Sequence, residues 1–214
     1  MKRRSGKTVG AKDRRVQSQP PRETISPATS LFLVGFMGSG KTSVGHTLAQ
    51  LLNWDFEDLD QRIEYLERRT VAEIFRDSGE TEFRRAEHAA LENLLQELNS
   101  GAVKVVALGG GAFVQKNNAD LLEAAGVPTV FLDAPVEELW ERCSKQASEA
   151  GTERPLLRDM DQFRRLYDSR RKNYLRASLK IQTAARPVEG IASEIVRALG
   201  LKKIEVRAQE GEVE

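Results

Sequence analysis

The stretch G-F-M-G-S-G-K-T, from Gly35 to Thr42, follows directly on the apolar run Leu31–Val34. Its spacing fits the pattern G-x-x-x-x-G-K-[ST], and the residues after it have the periodicity of an amphipathic helix. A strand, a glycine-rich turn and a helix in this order form the phosphate-binding loop of many nucleotide-binding α/β domains. The stretch therefore predicts a nucleoside triphosphate site, and the acceptor of the phosphoryl group has to be found elsewhere in the chain.

Short apolar or β-branched runs alternate with segments of helical periodicity along the rest of the chain. This alternation predicts an α/β fold with a parallel sheet covered by helices on both faces. Ligands of such sheets bind at the carboxyl ends of the strands, where the motifs described below are expected to lie. The predicted strands are 31–35, 54–58, 103–108, 129–133 and 179–183. The predicted helices are 41–52, 60–68, 71–78, 80–98, 117–125, 135–146, 161–177 and 187–199.

Composition limits the class of protein. The chain has 214 residues, 40% hydrophobic and 30% charged, which suits one α/β domain with a sizeable core. No apolar run approaches the roughly 20 residues that cross a bilayer. One cysteine, Cys143, excludes an internal disulfide framework and indicates a reducing compartment, so we expect a cytoplasmic protein. The two histidines and this cysteine are far apart in sequence, so a bound metal is expected to be a hard ion held by oxygen.

Charge is unevenly distributed along the chain. The first 30 residues hold eight Lys or Arg and two acidic residues, a net charge of +6, whereas the whole chain has +1. Residues 1–29 contain little that could pack, which predicts a disordered basic arm. A transit-peptide role, or a contact with nucleic acid or acidic lipid, stays open for this arm. Residues 202–214 are predicted to form a polar C-terminal tail, so the folded domain is expected over residues 30–201.

The residues of the glycine-rich stretch have distinct expected roles. Glycines at 35, 38 and 40 allow a tight turn whose N–H groups point inward and form a concave anion site. Lys41 is expected to reach the β- and γ-phosphates, and the hydroxyl of Thr42 to bind Mg²⁺. The predicted nucleotide-binding residues are Gly38, Ser39, Gly40, Lys41, Thr42 and Ser43.

Two aspartates follow the second predicted strand, in the stretch F-E-D-L-D. If the strand continues through them, Asp58 and Asp60 point to the same side. One carboxylate could then hold a water of the Mg²⁺ shell while the other accepts a hydroxyl proton. Alternatively, Asp60 is the N-cap of the next helix and Asp58 is a turn residue. The sequence alone leaves both interpretations open.

Two further motifs are candidates for the acceptor side. In G-E-T-E-F-R-R-A-E, residues 79–87, Arg84 and Glu87 share a helix face, although their spacing is also that of an ordinary solvated ion pair. The third predicted strand ends in Gly109, Gly110 and Gly111. Three consecutive glycines cost backbone entropy on folding, so they indicate either a close approach of the backbone to a ligand or a flexible loop.

These motifs occur in the order and approximate spacing seen in shikimate kinases, which the chain resembles over roughly residues 30–200. The set comprises G-F-M-G-S-G-K-T, D-L-D, F-R-R-A-E, G-G-G-A, R-P-L-L at 154–157 and R-x-x-x-Y at 170–174. The resemblance implies a doubly wound five-stranded parallel sheet of order 2-3-1-4-5, with helices on both faces, a mobile lid and a substrate-binding subdomain. The implied reaction is the ATP- and Mg²⁺-dependent phosphorylation of the 3-hydroxyl of shikimate, in aromatic amino-acid biosynthesis.

The resemblance also implies roles on the nucleotide side of the site. Asp60 matches the carboxylate that contacts the reacting hydroxyls, and Arg154 matches the lid arginine that reaches ATP. Asp58 and Thr42 match the Mg²⁺ site. Arg186 matches a residue near the adenine when the alignment includes a one-residue gap. The implied catalytic residues are Lys41, Asp60 and Arg154.

On the acceptor side, Arg84 and Arg170 match the arginines that grip the shikimate carboxylate. A planar carboxylate is best held by guanidinium groups, which bond to it bidentately. Glu87 matches the acid that holds this arrangement in place, and the three glycines match the lining of the same pocket. Leu59 stands where the family usually has Ser or Thr, and its side chain is expected to face away from the site.

Two alternatives remain at this point. Another small-molecule kinase with the same loop, such as a gluconate kinase, would also take an acceptor with a carboxylate and several hydroxyls. A non-catalytic nucleotide-binding regulator that uses the basic arm on nucleic acid is a second possibility. The complete motif set favours an enzyme that acts on shikimate. We expect a monomer with no nucleic-acid or membrane partner.

Overall fold

The structure, a computed structural model, describes residues 30–150 and 159–204. Three predicted features lie wholly or mostly outside these residues: the basic arm, the lid arginine Arg154 and the C-terminal tail beyond residue 204. What the sequence indicates for them stays a prediction.

Strands and helices alternate through the described residues as the sequence predicts. The strands are β1 (Leu31–Val34), β2 (Asp55–Asp58), β3 (Lys104–Ala107), β4 (Thr129–Asp133) and β5 (Leu179–Gln182). The α-helices are α1 (Lys41–Leu52), α2 (Leu59–Glu67), α3 (Val71–Asn99), α4 (Lys116–Ala124), α5 (Val136–Ala150), α6 (Met160–Tyr174) and α7 (Val188–Leu199). A short 3₁₀ helix, Ala112–Val114, follows the three glycines.

The polar segment 145–161, which contains Arg154 and where we expect the lid, is helical at both of its described ends. Helix α5 continues to Ala150, four residues beyond its predicted end, and α6 begins at Met160. Residues 151–158 lie outside the described residues, so the structure does not test the lid itself.

The five strands form one parallel sheet of order β2-β3-β1-β4-β5, which confirms the predicted topology. Strand β1 is central, and its four side chains are all buried because both faces of the sheet are covered. Phe32 and Val34 pack into the core shared with α2, α3, α4, α5 and α6, whereas Leu31 and Leu33 pack against α1 and α7. Such alternation follows from the two-residue period of a strand.

Helix α3 is broken at Gly79, where φ is 80° and ψ is 176°. This backbone conformation is almost restricted to glycine, because a side chain would clash with the neighbouring backbone. The two helices predicted at 71–78 and 80–98 are the parts of α3 on either side of this residue. The first part begins with a capping box, in which Thr70 and Glu73 each accept a hydrogen bond from the other's backbone N–H.

The chain after α7 packs back on α1. Leu201 is buried in the core between the sheet and these two helices. Ile204 donates its backbone N–H to the Leu52 carbonyl at 2.9 Å and accepts a hydrogen bond from Asn53 Nδ2 at 3.2 Å. No helix in residues 30–150 and 159–204 is long and apolar enough to cross a membrane.

Candidate functional site

The glycine-rich loop between β1 and α1 has the backbone of an anion cradle. Gly35, Gly38 and Gly40 all have positive φ, which only glycine adopts without strain. Gly40 is also the N-cap of α1 and provides no side-chain cap, so the first N–H groups of this helix stay available to a ligand. A Cβ at Gly38 would lie only 2.8 Å from Cys143 Sγ, and therefore the loop can rest closely on α5.

Lys41, the first residue of α1, is half-buried under this loop. Its Nζ donates to the carbonyl oxygens of Gly35 and Phe36, each at 3.0 Å. Burial lowers the pKa of Lys41 to about 8, although the charges of Asp60 and Asp58 oppose this shift. An ammonium group in such surroundings gains stabilisation from a bound anion, and a phosphate in the cradle would supply it.

The structure corrects both interpretations of the two aspartates. Strand β2 ends at Asp58 and α2 begins at Leu59, so the strand does not continue through Asp60. The N-cap is Asp58 and not Asp60, because Asp58 Oδ1 accepts the backbone N–H of Asp60 at 3.0 Å. Leu59 is fully buried in the core, as expected from its position between them.

The other oxygen of Asp58 faces the phosphate loop. Asp58 Oδ2 accepts a hydrogen bond from Thr42 Oγ1 at 3.5 Å. Burial raises the pKa of Asp60, and the neighbouring charge of Asp58 raises it further. One aspartate therefore joins the phosphate loop, while the other lies in a less polar place beside Lys41.

Arg84 on α3 is held by two glutamates of the same helix. Glu87 is only 1% exposed, and its two oxygens accept hydrogen bonds from Arg84 Nη1 at 3.0 and 2.9 Å. Glu80 accepts from Nε at 3.3 Å and from Nη2 at 3.2 Å through a single oxygen. Burial raises the pKa of Glu87 and the charge of Arg84 opposes this shift. The candidate pair Arg84–Glu87 is thus partly buried and is not the ordinary solvated ion pair that its spacing also allows.

Arg170 on α6 reaches the loop after β3 from the opposite side. Its Nη1 donates to the Gly110 carbonyl at 3.4 Å, and its guanidinium carbon lies 5.8 Å from the centre of the Phe36 ring. The hydroxyl of Tyr174, one helical turn further on, donates to the same carbonyl. Tyr174 is fully buried beside Phe131. Two side chains of α6 therefore fix the orientation of the Gly110 peptide.

Each of the three consecutive glycines faces a different candidate side chain. A Cβ at Gly109 would lie 2.5 Å from Asp60 Oδ1, and one at Gly111 would lie 2.7 Å from both terminal nitrogens of Arg84. At Gly110 the nearest side-chain atom would be Arg170 Nη1, at 3.8 Å. The loop is therefore glycine-rich because Asp60 and Arg84 occupy the space that side chains would need.

An arginine outside all of the sequence motifs, Arg142, also contacts the phosphate loop. Arg142 on α5 donates to the Gly38 carbonyl at 3.3 Å and to the Thr183 carbonyl at 3.2 Å, so it joins the phosphate loop to the end of β5. The predicted residue Arg186 instead donates to the Gln182 carbonyl at 2.8 Å and pairs with Glu194 on α7 at 2.5 Å. No local pattern marks Arg142, because its partners are distant in sequence.

The described residues fit a triphosphate with a hard metal ion. The loop supplies backbone N–H donors, Lys41 supplies a positive charge, and Thr42 and Asp58 supply neighbouring oxygens of the kind that Mg²⁺ prefers. Ser39 is buried, and its hydroxyl has no hydrogen-bond partner among the residues that the structure describes. Ser43 is exposed in the first turn of α1. The fold and the site thus define a nucleotide-dependent kinase, in which Arg84 and Arg170 lie against the glycines that follow β3.

Comparisons with known proteins identify the family. The sequence profile described as shikimate kinase matches residues 37–200. A shikimate kinase from Persephonella marina is 36% identical over 168 residues, which cover 78% of this chain and 96% of that protein. One from Aquifex aeolicus is 35% identical over 170 residues, with 79% and 95% covered. The chain therefore belongs to the shikimate kinase family. This confirms the predicted reaction, the ATP-dependent phosphorylation of shikimate.

Solved structures agree with this assignment. The crystal structure of shikimate kinase from Aquifex aeolicus has a TM-score of 0.69 at 33% identity and covers 80% of this chain and 96% of its own. Shikimate kinase from Acinetobacter baumannii in complex with shikimate has a TM-score of 0.70 at 33% identity, with 82% and 95% covered. A gluconokinase from Sinorhizobium meliloti, at 19% identity and a TM-score of 0.52, shares the fold alone.

The glycine geometry yields a testable prediction. Gly109→Ala should lower kcat by about 10- to 100-fold, because the added methyl displaces Asp60. Gly111→Ala should raise KM for shikimate, because the methyl displaces Arg84. Gly190→Ala is the matched control, since a Cβ there would meet only Pro187 at 3.5 Å, an ordinary contact. Steady-state kinetics and thermal melting of the three variants test this prediction: wild-type kinetics for both loop variants would contradict the displacement of Asp60 and Arg84 by the added methyl groups.

Proposed function

We propose that the cleft between the phosphate loop and the three glycines binds ATP on one side and shikimate on the other. The observation that supports this arrangement is a convergence of charged groups from separate elements. Arg84 and Arg170, on different helices, lie against Gly111 and Gly110. Asp60 lies against Gly109 and close to Lys41. Two cations for a carboxylate, a carboxylate for a hydroxyl and an ammonium group for phosphates are thus neighbours in one cleft.

Arg84 and Arg170 bind the shikimate carboxylate in this proposal. Guanidinium groups form paired, charge-assisted hydrogen bonds with carboxylates, which fixes the orientation of a rigid ring as well as its position. Arg84 is held by buried Glu87, and Arg170 is held by the Gly110 carbonyl and the Phe36 ring. Since both arginines are already positioned, little conformational entropy is lost when the substrate binds.

Asp60 orients the 3-hydroxyl of shikimate for attack on the γ-phosphorus of ATP. The hydroxyl oxygen forms the new P–O bond, the bond to the β-phosphate oxygen breaks, and the hydroxyl proton passes to Asp60 or to solvent. Phosphoryl transfer depends more on positioning and charge neutralisation than on a strong base. The raised pKa of Asp60 suits a group that accepts a proton during the reaction. Lys41 stabilises the negative charge that develops on the phosphates.

Thr42 and Asp58 would hold Mg²⁺, which neutralises charge on the β- and γ-phosphates when it is bound. These two side chains are already neighbours, and the backbone N–H of Asp60 fixes the other oxygen of Asp58. The same hydrogen bond links the metal side of the site to the aspartate on the hydroxyl side.

The nucleoside part of ATP lies beside Arg142 in this proposal, because Arg142 joins the phosphate loop, at Gly38, to the loop after β5, at Thr183. Arg186 lies in the same loop as Thr183, between β5 and α7, and is proposed to border the adenine from there. Arg154, predicted to reach ATP from a lid, lies outside the described residues and keeps that role as a proposal from the resemblance.

We further propose that the enzyme acts as a monomer in the cytoplasm. All of the proposed ligand contacts come from one chain, so a second copy is not needed to complete the site. The single cysteine, Cys143, is buried and suits a reducing compartment. Light scattering after size exclusion would measure the oligomeric state.

The substrate assignment predicts the outcome of a coupled ADP-release assay. Shikimate should support Mg²⁺-dependent turnover, whereas quinate and gluconate should be poor substrates, because a site that binds hydroxyls through buried polar groups rejects a misplaced hydroxyl strongly. Turnover of gluconate equal to that of shikimate, or no ADP release with shikimate, would refute the proposal.

The carboxylate site predicts a separation of the two Michaelis constants. Arg84→Lys and Arg170→Lys should each raise KM for shikimate on the order of ten-fold while KM for ATP stays unchanged, because lysine keeps the charge but loses the paired hydrogen bonds. Arg85→Lys is the matched control, since Arg85 pairs with Glu82 on the exposed side of α3. A rise in KM for ATP alone would place the two arginines on the wrong side of the cleft.

A further inference from the structure

The two glutamates that hold Arg84 differ in their surroundings. Glu87 is 1% exposed, whereas the side chain of Glu80 is 68% exposed. A buried carboxylate has to keep its partner, because an unpaired charge in the protein interior is strongly unfavourable. An exposed carboxylate can leave its partner for water at little cost. Glu87 is therefore a permanent partner of Arg84, and Glu80 is a replaceable one.

Glu80 also uses only one of its two carboxylate oxygens to bind Arg84. One oxygen, Oε1, accepts from both Nε and Nη2 of Arg84, at 3.3 and 3.2 Å. These two nitrogens form one of the planar edges through which an arginine grips a carboxylate with two parallel hydrogen bonds. A carboxylate that brings both oxygens to this edge makes shorter and better-directed bonds than Glu80 does.

The backbone places Glu80 at the break in α3. It follows Gly79, whose φ of 80° and ψ of 176° are outside the helical range, and there is open space around Gly79. Glu80 thus stands at the start of the second part of the helix, one turn before Arg84. A side chain at this position can turn towards solvent without disturbing the packed residues of the helix.

We propose that Glu80 is an internal carboxylate that the substrate displaces. It pairs with the Nε–Nη2 edge of Arg84 while the cleft is empty, and the carboxylate of the acceptor takes its place. This inference rests on the proposed function, in which Arg84 binds the acceptor carboxylate. The consequence is selectivity: an anion must form better bonds than Glu80 to enter, and one that also reaches Arg170 has the advantage.

Glu82 provides a matched control for the charge. It lies two residues further along the same helix and pairs with Arg85, whose side chain is 65% exposed, through Nη2 at 2.6 Å. Glu80→Gln and Glu82→Gln each remove one negative charge from the same turn of α3, but only the first removes a competitor from Arg84.

The test is isothermal titration of the full chain with shikimate, and separately with ADP, for the wild type and both variants at low ionic strength. Glu80→Gln should bind shikimate about two- to five-fold more tightly, in line with the loss of one exposed ion pair, and Glu82→Gln should match the wild type. ADP affinity should be the same in all three. Unchanged or weaker shikimate binding by Glu80→Gln, or equal tightening in Glu82→Gln, would overturn the inference.

Arg84→Ala separates this inference from the proposed function. If Arg84→Ala leaves shikimate affinity unchanged, the placement of the acceptor carboxylate is wrong and the inference fails with it. If Arg84→Ala weakens shikimate binding while Glu80→Gln does not strengthen it, the proposed function stands and only the displacement of Glu80 is wrong. ADP binding by each variant shows that it is folded.

Discussion

The proposed acceptor side of the site depends on one buried carboxylate, Glu87. Glu87 is almost inaccessible to solvent, and burying an unpaired charge costs several kcal/mol, so the fold has to provide a cation beside it. Arg84 is that cation, three residues earlier on the same helix face. Because Glu87 is fixed by the core around it, the guanidinium of Arg84 is fixed as well, and it lies against Gly111. The local requirement to pair a buried charge thus fixes the group that we propose binds the acceptor carboxylate.

The phosphate side depends on a different constraint, the backbone conformation that only glycine adopts without strain. Positive φ at Gly35, Gly38 and Gly40 shapes the loop, and its underside carries Lys41. Burial lowers the pKa of Lys41 and the charge of Asp60 raises it, whereas burial raises the pKa of Asp60 and the charge of Lys41 lowers it. Each charge therefore reduces the cost of burying the other. The two sides of the cleft are therefore coupled through this pair, and a bound phosphate would change the electrostatic environment of the acceptor hydroxyl.

Sequence patterns predicted the strands and helices because apolar periodicity and glycine positions are local properties. The sheet order needed the family resemblance, since nothing local specifies which strands are neighbours. Both backbone interpretations of the two aspartates were wrong, because D-x-D allows a continued strand or a cap at Asp60, and only the backbone shows that β2 ends at Asp58 and that Asp58 is the cap. Arg142 and Glu80 could not be selected from the sequence. The first contacts carbonyls 41 and 104 residues away, and the second matters only once Arg84 is known to face the cleft.

Shikimate binding by Glu87→Gln tests the central claim most directly. Glutamine has nearly the same shape as glutamate but lacks the charge that fixes Arg84. Hydrogen bonds to charged groups contribute about 1.5–3 kcal/mol, so the account predicts that calorimetric titration gives a Kd for shikimate raised about ten-fold or more. The Kd for ADP should equal that of the wild type, which also shows that the variant is folded. Wild-type affinity for shikimate in Glu87→Gln would contradict the claim that the buried carboxylate positions the acceptor site.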